Sequence, residues 1–237
     1  MLKPMRLFAG LVLLALAGAP LSATQAQPAN PQTVSAAQQL VDKAKLTAER
    51  MLSDPKLVSL HDWMKSAKGV VVIPSFLKAG FVVGAAGGSG VLLSRDAAGH
   101  WSAPAFYTIG EGSFGLQAGV QDAEVILVIM TDKGLNAIVN SEVKLGAEAS
   151  LAVGEIGVGL EGATTAGLGK DILSYSKTFG LYGGVSVEGA WINSRETLNA
   201  EYYGKGATPG AIVLTRQFNH SGANELRAAL SRAPAQR

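Results

Sequence analysis

Residues 68–93 read KGVVVIPSFLKAGFVVGAAGGSGVLL, and the hydrophobic pattern of the chain changes here. Upstream, apolar residues recur every three or four positions, as on one face of a helix. From Val70 to Ile73 the side chains are β-branched, and Phe81–Val83 and Val91–Leu93 enclose a run of glycine, alanine and serine. This pattern predicts paired β-strands with glycines where backbones approach closely.

Two helices are predicted before this segment. The first begins at Thr33 or Ser35, because an apolar stripe at helical spacing follows: Val34, Ala37, Val41, Ala44, Ala48 and Met51. Asp54 is predicted to cap the second helix, with Pro55 in its first position and Gly69 as its C-terminal stop. The buried face of the second helix is predicted to consist of Leu57, Leu60, Met64 and Ala67.

Strands and then helices are predicted downstream. Pro74 is expected to end the first strand, and the apolar run Ala123–Met130 predicts a buried strand followed by a short helix that packs Leu135, Ile138 and Val139. Alternation returns from Leu145 within residues 145–192, and helical signals return at 194–203, with Gly204 as the stop, and at 221–232. The predicted fold class is α+β: N-terminal helices packed on a strongly twisted or closed, mainly antiparallel, glycine-rich β-sheet, with short C-terminal helices.

The first residues have the pattern of a secretory signal. Lys3 and Arg6 precede the apolar run Leu7–Ala19, and the small residues of Thr24–Ala26 suit cleavage before Gln27. The apolar run is shorter than the ~20 residues that a transmembrane helix needs. The layout is typical of bacterial signals and predicts a periplasmic or secreted protein, peripheral at a membrane.

The predicted organisation is a signal peptide at 1–26, a linker at 27–33 and a single domain at 34–237. The chain has 20 Lys+Arg and 18 Asp+Glu, and two of the basic residues lie in the signal. The remainder is balanced, so nucleic acid is not a predicted partner. Basic residues outnumber acidic ones in residues 40–78, and the reverse holds in 111–161. A positive face would attract anionic lipid headgroups.

No catalytic apparatus, metal site or cofactor is predicted. The chain has no cysteine, which excludes disulfides, thiolate chemistry and a lipid-anchored N-terminus. Gly110–Gly115 spells G-x-G-x-x-G, but no helical pattern follows it, so a bulge or tight hairpin is favoured over a dinucleotide loop. The histidines are scattered: His61, His100 and His220. A hydrolase would have to gather a histidine with carboxylates such as Glu111, Asp122 or Glu188.

Several segments resemble the SYLF lipid-binding domain family, over about residues 35–214. They are Lys68–Pro74, Lys78–Gly84, Gly87–Leu92, Trp101–Ala105, Gly112–Gly119, Val125–Met130 and Tyr202–Gly204. The most specific match is Tyr175–Gly189, which reads YSKTFGLYGGVSVEG.

The resemblance implies a lipid-binding module, related to the actin-binding module of yeast cortical actin-patch proteins. Eukaryotic members are associated with phosphoinositide membranes and cortical actin, but export makes actin an unexpected partner here. Anionic phospholipid at a membrane surface is the expected ligand. The candidate lipid-binding residues are Lys43, Lys45, Arg50, Lys65, Lys68, Lys78, Lys170 and Lys177.

Three questions stay open at this point. The stripe of the first helix suits core packing or membrane insertion. Lys177 suits a headgroup ligand or a strand lysine that hydrogen-bonds to a loop. A non-enzymatic envelope scaffold or protein-interaction domain is the alternative to lipid binding, and protein partners are unknown.

Overall fold

The computed structural model describes residues 34–80, 83–114, 119–140, 142–153, 169–178 and 186–232. The helices in these ranges are α1 (Ala36–Leu52), α2 (Val58–Ser66), α3 (Asp132–Asn140), α4 (Glu196–Tyr203) and α5 (Asn224–Ser231). The strands are β1 (Gly69–Gly80), β2 (Val83–Ser94), β3 (Ala105–Phe114), β4 (Gly119–Ile129), β5 (Val143–Lys144), β6 (Leu151–Val153), β7 (Ile172–Thr178) and β8 (Trp191–Ser194).

These strands form one sheet that is strongly curled. Its order is β5-β8-β3-β2-β1-β4-β7-β6, and every pairing is antiparallel except β6 with β7. A flat sheet of eight strands would hold its edges roughly 34 Å apart. The edge strands β5 and β6 are joined by residues 145–150, which span at most roughly 25 Å. The sheet therefore has to curl, and α3 accordingly contacts both β4 and β8 although three strands separate them.

Helices cover both faces of the sheet. One face, which carries Val70, Val72 and Ile126, packs against α1, α2, α4 and α5. The other face carries Val71 and Leu127 and packs against α3 and the π-helical turn Gly210–Leu214. The predicted fold class is confirmed, including the N-terminal helices on the sheet and the short C-terminal helices.

Pro74 does not end β1, contrary to the prediction. The strand continues to Gly80 through a bulge, where its register with β2 shifts between Val72 and Ser75. A bulge accommodates a proline because the extra residue needs no ladder hydrogen bond. The bulged backbone presses on β2: a Cβ built on Gly88 would lie 2.2 Å from the Ser75 carbonyl oxygen. The glycine-rich run is thus continuous strand, and Gly88 permits the close approach.

The boundaries of α2 also differ from the prediction. Asp54 does not cap the helix; its Oδ1 accepts a hydrogen bond from the Lys56 backbone amide, and the helix starts only at Val58. Pro55 lies in the intervening turn. Gly69 is not the stop, because it already pairs with Ser94 as the first residue of β1. The predicted apolar face of α2 is nonetheless buried.

The predicted start of α1 and end of α4 are confirmed, and one strand begins later than predicted. Ser35 caps α1 by accepting a hydrogen bond from the Gln38 amide, and Gly204 ends α4 with a φ of 95°. Residues 110–114 belong to β3, so the G-x-G-x-x-G glycines that are described lie in a strand. The strand predicted from residue 145 begins only at Leu151. None of the helices in the described ranges is long and apolar enough to cross a bilayer.

A buried carboxylate joins α3 to one end of the sheet. Asp171 accepts hydrogen bonds from the Thr131 hydroxyl, from Ser150 through its amide and hydroxyl, and from Lys133 Nζ. Burial alone would raise the pKa of Asp171, but these hydrogen bonds outweigh it and hold the pKa well below its usual range. Asp171 is therefore a charged structural link between α3, β6 and β7.

We expect Gly88→Ala to destabilise the domain by about 1–3 kcal/mol, because the new methyl group collides with the β1 backbone at the bulge. Gly112→Ala on the next strand is the matched control, since nothing lies within 4 Å of its built Cβ. Urea unfolding of both variants measures the difference. Equal stability of the two variants would contradict the role assigned to Gly88.

We expect Asp171→Asn to cost about 3 kcal/mol at pH 7, because it weakens several charge-assisted hydrogen bonds in a buried site. The folded-state pKa is depressed, so the contribution of the charge is complete above the unfolded pKa of about 3.9 and is lost as the pH falls through and below it. The stability gap between wild type and variant should narrow from pH 5 to pH 2. Asp132→Asn, at an exposed side chain, is the control.

Candidate functional site

The apolar stripe of α1 is buried against the sheet and the neighbouring helices. Ala37, Val41, Ala44, Ala48 and Met51 are each at most 1 % exposed. Burying a large apolar side chain contributes about 1.5–3 kcal/mol. Moving α1 into a membrane would expose to water the sheet residues that it covers, such as Val70 and Val72. Of the two interpretations of this helix, core packing is the one that the structure shows.

The three basic candidates on α1 have different surroundings. Lys43 is exposed. Lys45 Nζ lies 2.7 Å from Glu225 Oε2 on α5. Arg50 forms an ion pair with Glu124, a carboxylate on β4 that is buried and also accepts a hydrogen bond from the Thr47 hydroxyl. Arg50 and Lys45 thus fasten α1 to its neighbours.

Lys177 lies on a strand and bonds to a residue in a loop, which is the second of the two interpretations of this lysine. Its Nζ lies 2.7 Å from Asp54 Oδ2 in the connection between α1 and α2. Two positions earlier on β7, the Tyr175 hydroxyl pairs with Ser59 on α2 at 3.2 Å. The described part of the most specific motif therefore holds the helical layer to β7. Residues 179–185 of that motif lie outside the described residues.

Lys78 and Lys170 lie apart from the other candidates. Lys78 is ten residues along β1 from Lys68, a separation of roughly 30 Å in an extended strand. Its Nζ lies 3.6 Å from Glu111 Oε1 on β3. Lys170 is half-buried in the turn before β7.

Lys65 and Lys68 lie together with two arginines that are not among the candidates from the sequence. The Arg95 backbone amide donates to the Lys68 carbonyl at 2.8 Å, and Arg95 Nη1 donates to the Lys65 carbonyl at 2.7 Å. Arg232, just after α5, lines the same cleft as Lys65 and Arg95. We call Lys65, Lys68, Arg95 and Arg232 the basic pole, since they cluster where β1 begins and β2 ends.

The basic pole is accessible but not free of acidic partners. The side chains of Lys65, Lys68 and Arg232 are 65 %, 49 % and 69 % exposed. Their Nζ or Nη atoms lie 2.6, 3.5 and 3.2 Å from carboxylate oxygens of Asp62, Asp132 and Glu49, respectively. Exposed pairs of this kind are weak, so an anionic ligand can compete for the cations.

A cleft of about 90 Å³ opens within the basic pole, between α2, the β2–β3 turn and the end of α5. Its lining combines basic and apolar side chains: Leu52, His61, Met64, Lys65, Arg95, Leu230, Ser231 and Arg232. His61 Nε2 is buried and has no hydrogen-bond partner among the described residues. Burial lowers the pKa of His61, opposed by the Leu52 backbone and the nearby carboxylates, so the ring is neutral at pH 7.

The cleft residues that the sequence did not indicate do not recur at any regular spacing along the chain. His61, Arg95 and Arg232 come from a helix, a turn and the residue after the last helix, and only pairing of β1 with β2 and packing of α5 unite them. Arg95 pairs with Trp101 across the base of the hairpin turn 96–100, in which Gly99 has a φ of 88°. Nothing in the local sequence distinguishes Arg95 from an ordinary turn residue.

The carboxylates named for a hydrolase do not assemble a site. Glu111 lies on β3 and approaches Lys78, whereas Asp122 lies on β4 and accepts a hydrogen bond from Ser75. Glu188 lies in a turn against Gly146. Within the described ranges, no group of three or more histidine, aspartate or glutamate side chains could hold a metal ion.

Comparison with known proteins gives consistent relatives. Residues 110–233 match the family model Ysc84, described as "Las17-binding protein actin regulator". The chain is 34 % identical over 149 residues to the SH3 domain-containing YSC84-like protein 1 of Rattus norvegicus, which covers 62 % of this chain and 43 % of the relative. The human protein of the same name is 33 % identical over the same shares of the two chains.

A yeast relative gives the same picture. The LAS seventeen-binding protein 3 of Saccharomyces cerevisiae (strain ATCC 204508 / S288c) is 33 % identical over 158 residues, 65 % of this chain and 34 % of the relative. The chain thus spans less than half the length of these curated relatives. The matched family is described as an actin regulator and not as an enzyme. Because the family model covers more than half of the chain, the chain belongs to the Ysc84 family of SYLF domains.

Proposed function

We propose that this domain binds anionic phospholipid headgroups at a membrane surface through its basic pole. The observation that carries the proposal is the convergence of Lys65, Arg95 and Arg232 around a cleft with apolar walls, with Lys68 next to it through the hydrogen bond between the Arg95 amide and the Lys68 carbonyl. Cations beside apolar surface suit the boundary between headgroups and acyl chains. Of the residues named from the sequence, Lys65 and Lys68 are central to the proposal.

The expected attraction is moderate. Each basic residue near an anionic surface contributes about 1 kcal/mol, and the contribution falls off within a Debye length. The carboxylates of Asp62, Asp132 and Glu49 offset part of it. Binding should therefore need several of the four cations together and should weaken strongly with salt.

The proposed setting is the bacterial envelope. Residues 1–26 have the pattern of a cleaved signal, which would deliver the domain to the periplasm or the exterior. Actin regulation, which the family description states, is not part of the proposal, because that compartment would hold no actin. Phosphoinositide-like recognition is proposed only as recognition of a phosphate-bearing anionic headgroup, and no cofactor is proposed.

A protein-interaction or scaffold role is the second candidate. The adjacent strands β1 and β4 expose two apolar side chains, Leu77 at 48 % and Val120 at 72 %. The yeast relative is named for binding LAS seventeen. Capture of a stoichiometric protein partner that is lost in Leu77→Ser with Val120→Ser, but kept after charge removal at the basic pole, would favour this role.

We expect the purified domain to sediment with vesicles of phosphatidylglycerol and phosphatidylcholine, and not with vesicles of phosphatidylcholine alone. Raising the salt from about 0.05 to 0.5 M should release it, because exposed charges are screened. Equal binding to both kinds of vesicle, or binding to neither, would contradict the proposal.

The double variant Lys65→Gln with Arg232→Gln should bind these anionic vesicles at least about tenfold more weakly, from roughly 1 kcal/mol per lost charge. Lys144→Gln with Lys205→Gln removes the same charge from exposed lysines outside the basic pole and serves as the matched control. Equal loss in both double variants would show that only net charge matters and would remove the basic pole from the proposal.

A further inference from the structure

The cleft within the basic pole is small enough to restrict its ligand. Sites for drug-sized molecules and cofactors measure about 300–1,000 Å³, whereas this cleft measures about 90 Å³. The cleft therefore has room for one compact group rather than for a complete sugar or nucleotide. Its lining of Lys65, Arg95 and Arg232 selects an anion.

Arg95 changes the electrostatics of the cleft. The last turn of a helix presents carbonyl oxygens and a partial negative charge, which would repel an anion. Arg95 Nη1 donates hydrogen bonds to the carbonyl oxygens of Met64 and Lys65 at the end of α2, at 3.1 and 2.7 Å. The Trp101 ring packs against the Arg95 guanidinium, with 5.6 Å between the guanidinium carbon and the ring centroid. The end of α2 is thereby neutralised by a cation whose position is held from two sides.

His61 supplies an unmet hydrogen-bonding group. Its Nε2 is buried and has no partner among the described residues, a state that costs free energy in a folded protein. The charged groups that act on the ring are Asp54, Asp62 and Lys65, and the Leu52 backbone is a further hydrogen-bonding neighbour. Nε2 itself is closed off from solvent, so an anion in the cleft would act on the ring through its charge, which favours the protonated form.

The apolar walls distinguish an ester from a bare ion. Leu52, Met64 and Leu230 line the cleft beside the cations. A free inorganic ion gains nothing from these walls, whereas the first carbons of a phosphate ester would cover them. We infer that the cleft binds the phosphate group of a phosphate ester through Lys65 and Arg232, beside the His61 ring, with the ester carbons against Leu52, Met64 and Leu230.

This inference deepens the proposed function, on which its link to membranes rests, by naming the chemical group that the basic pole takes. The phosphate group could belong to a lipid headgroup or to a free phosphate compound. Three soluble probes separate these sources: inorganic phosphate, glycerol 3-phosphate and dihexanoyl phosphatidic acid below its micelle concentration. Dihexanoyl phosphatidylcholine tests whether a zwitterionic headgroup is rejected.

The experiment is an NMR titration of the complete chain, following the His61 ring signals, which the His61→Gln variant assigns. We expect dihexanoyl phosphatidic acid to shift these signals saturably and to raise the pKa of His61. The single variants Lys65→Gln and Arg232→Gln should each weaken the binding roughly tenfold, as expected for loss of a charge-assisted hydrogen bond. Lys205→Gln, at an exposed lysine that does not line the cleft, should leave it unchanged.

Each result decides the inference. Tighter binding of the lipid than of glycerol 3-phosphate supports the site with a lipid source, and equal binding of these two esters, both tighter than inorganic phosphate, supports it with a soluble ester as the source. Binding of inorganic phosphate as tight as that of the esters overturns the role given to the apolar walls. Absence of any His61 shift, or an equal response in the Arg232→Gln variant, overturns it. If the chain still binds anionic vesicles in that case, the membrane proposal stands and only the cleft is removed from it.

Discussion

The domain depends on a geometric constraint: the two edge strands of its sheet, β5 and β6, are joined by only residues 145–150. A short connection between the edges of an eight-stranded sheet forces the sheet to curl. Curling gives each face its own core, one closed by α3 and the π-helical turn and the other by the remaining helices. The basic pole lies at one end of this sheet, where α2 leads directly into β1 and Arg95, after β2, donates hydrogen bonds to the Lys65 and Lys68 carbonyls.

Two ion pairs hold the helical layer on this sheet, and they lie side by side. Glu124 and Lys177 are partners across β4 and β7, and each reaches outward to a residue of opposite charge, Arg50 and Asp54. Buried charges need such partners because removing one leaves the other uncompensated. The motif beginning at Tyr175 thus has a structural reason to be specific, and lipid contact is better sought at the basic pole.

The spacing of apolar side chains predicted an element correctly wherever burial of one face determined its structure. The stripes of α1 and α3 and the glycine that ends α4 were predictable, because local geometry places their residues inside or permits a left-handed turn. Pro74 was misjudged because its tolerance comes from a bulge and from Gly88 on the next strand, which no local window contains. The basic pole was half predictable: Lys65 and Lys68 are near neighbours in sequence, whereas Arg95 and Arg232 join them only through tertiary packing.

The packing of α1 has a consequence for the order of events when the chain is made. Gln38 Nε2 donates to the Gly222 carbonyl, Lys45 pairs with Glu225, and Glu49 pairs with Arg232, across separations of 184, 180 and 183 residues. Helix α1 therefore lacks these partners until residues about 180 positions later have been synthesised. Contacts this distant in sequence form slowly. A nascent chain of this domain stays incompletely packed for nearly the whole time of its synthesis, which is the state in which a polypeptide can be threaded through a narrow channel.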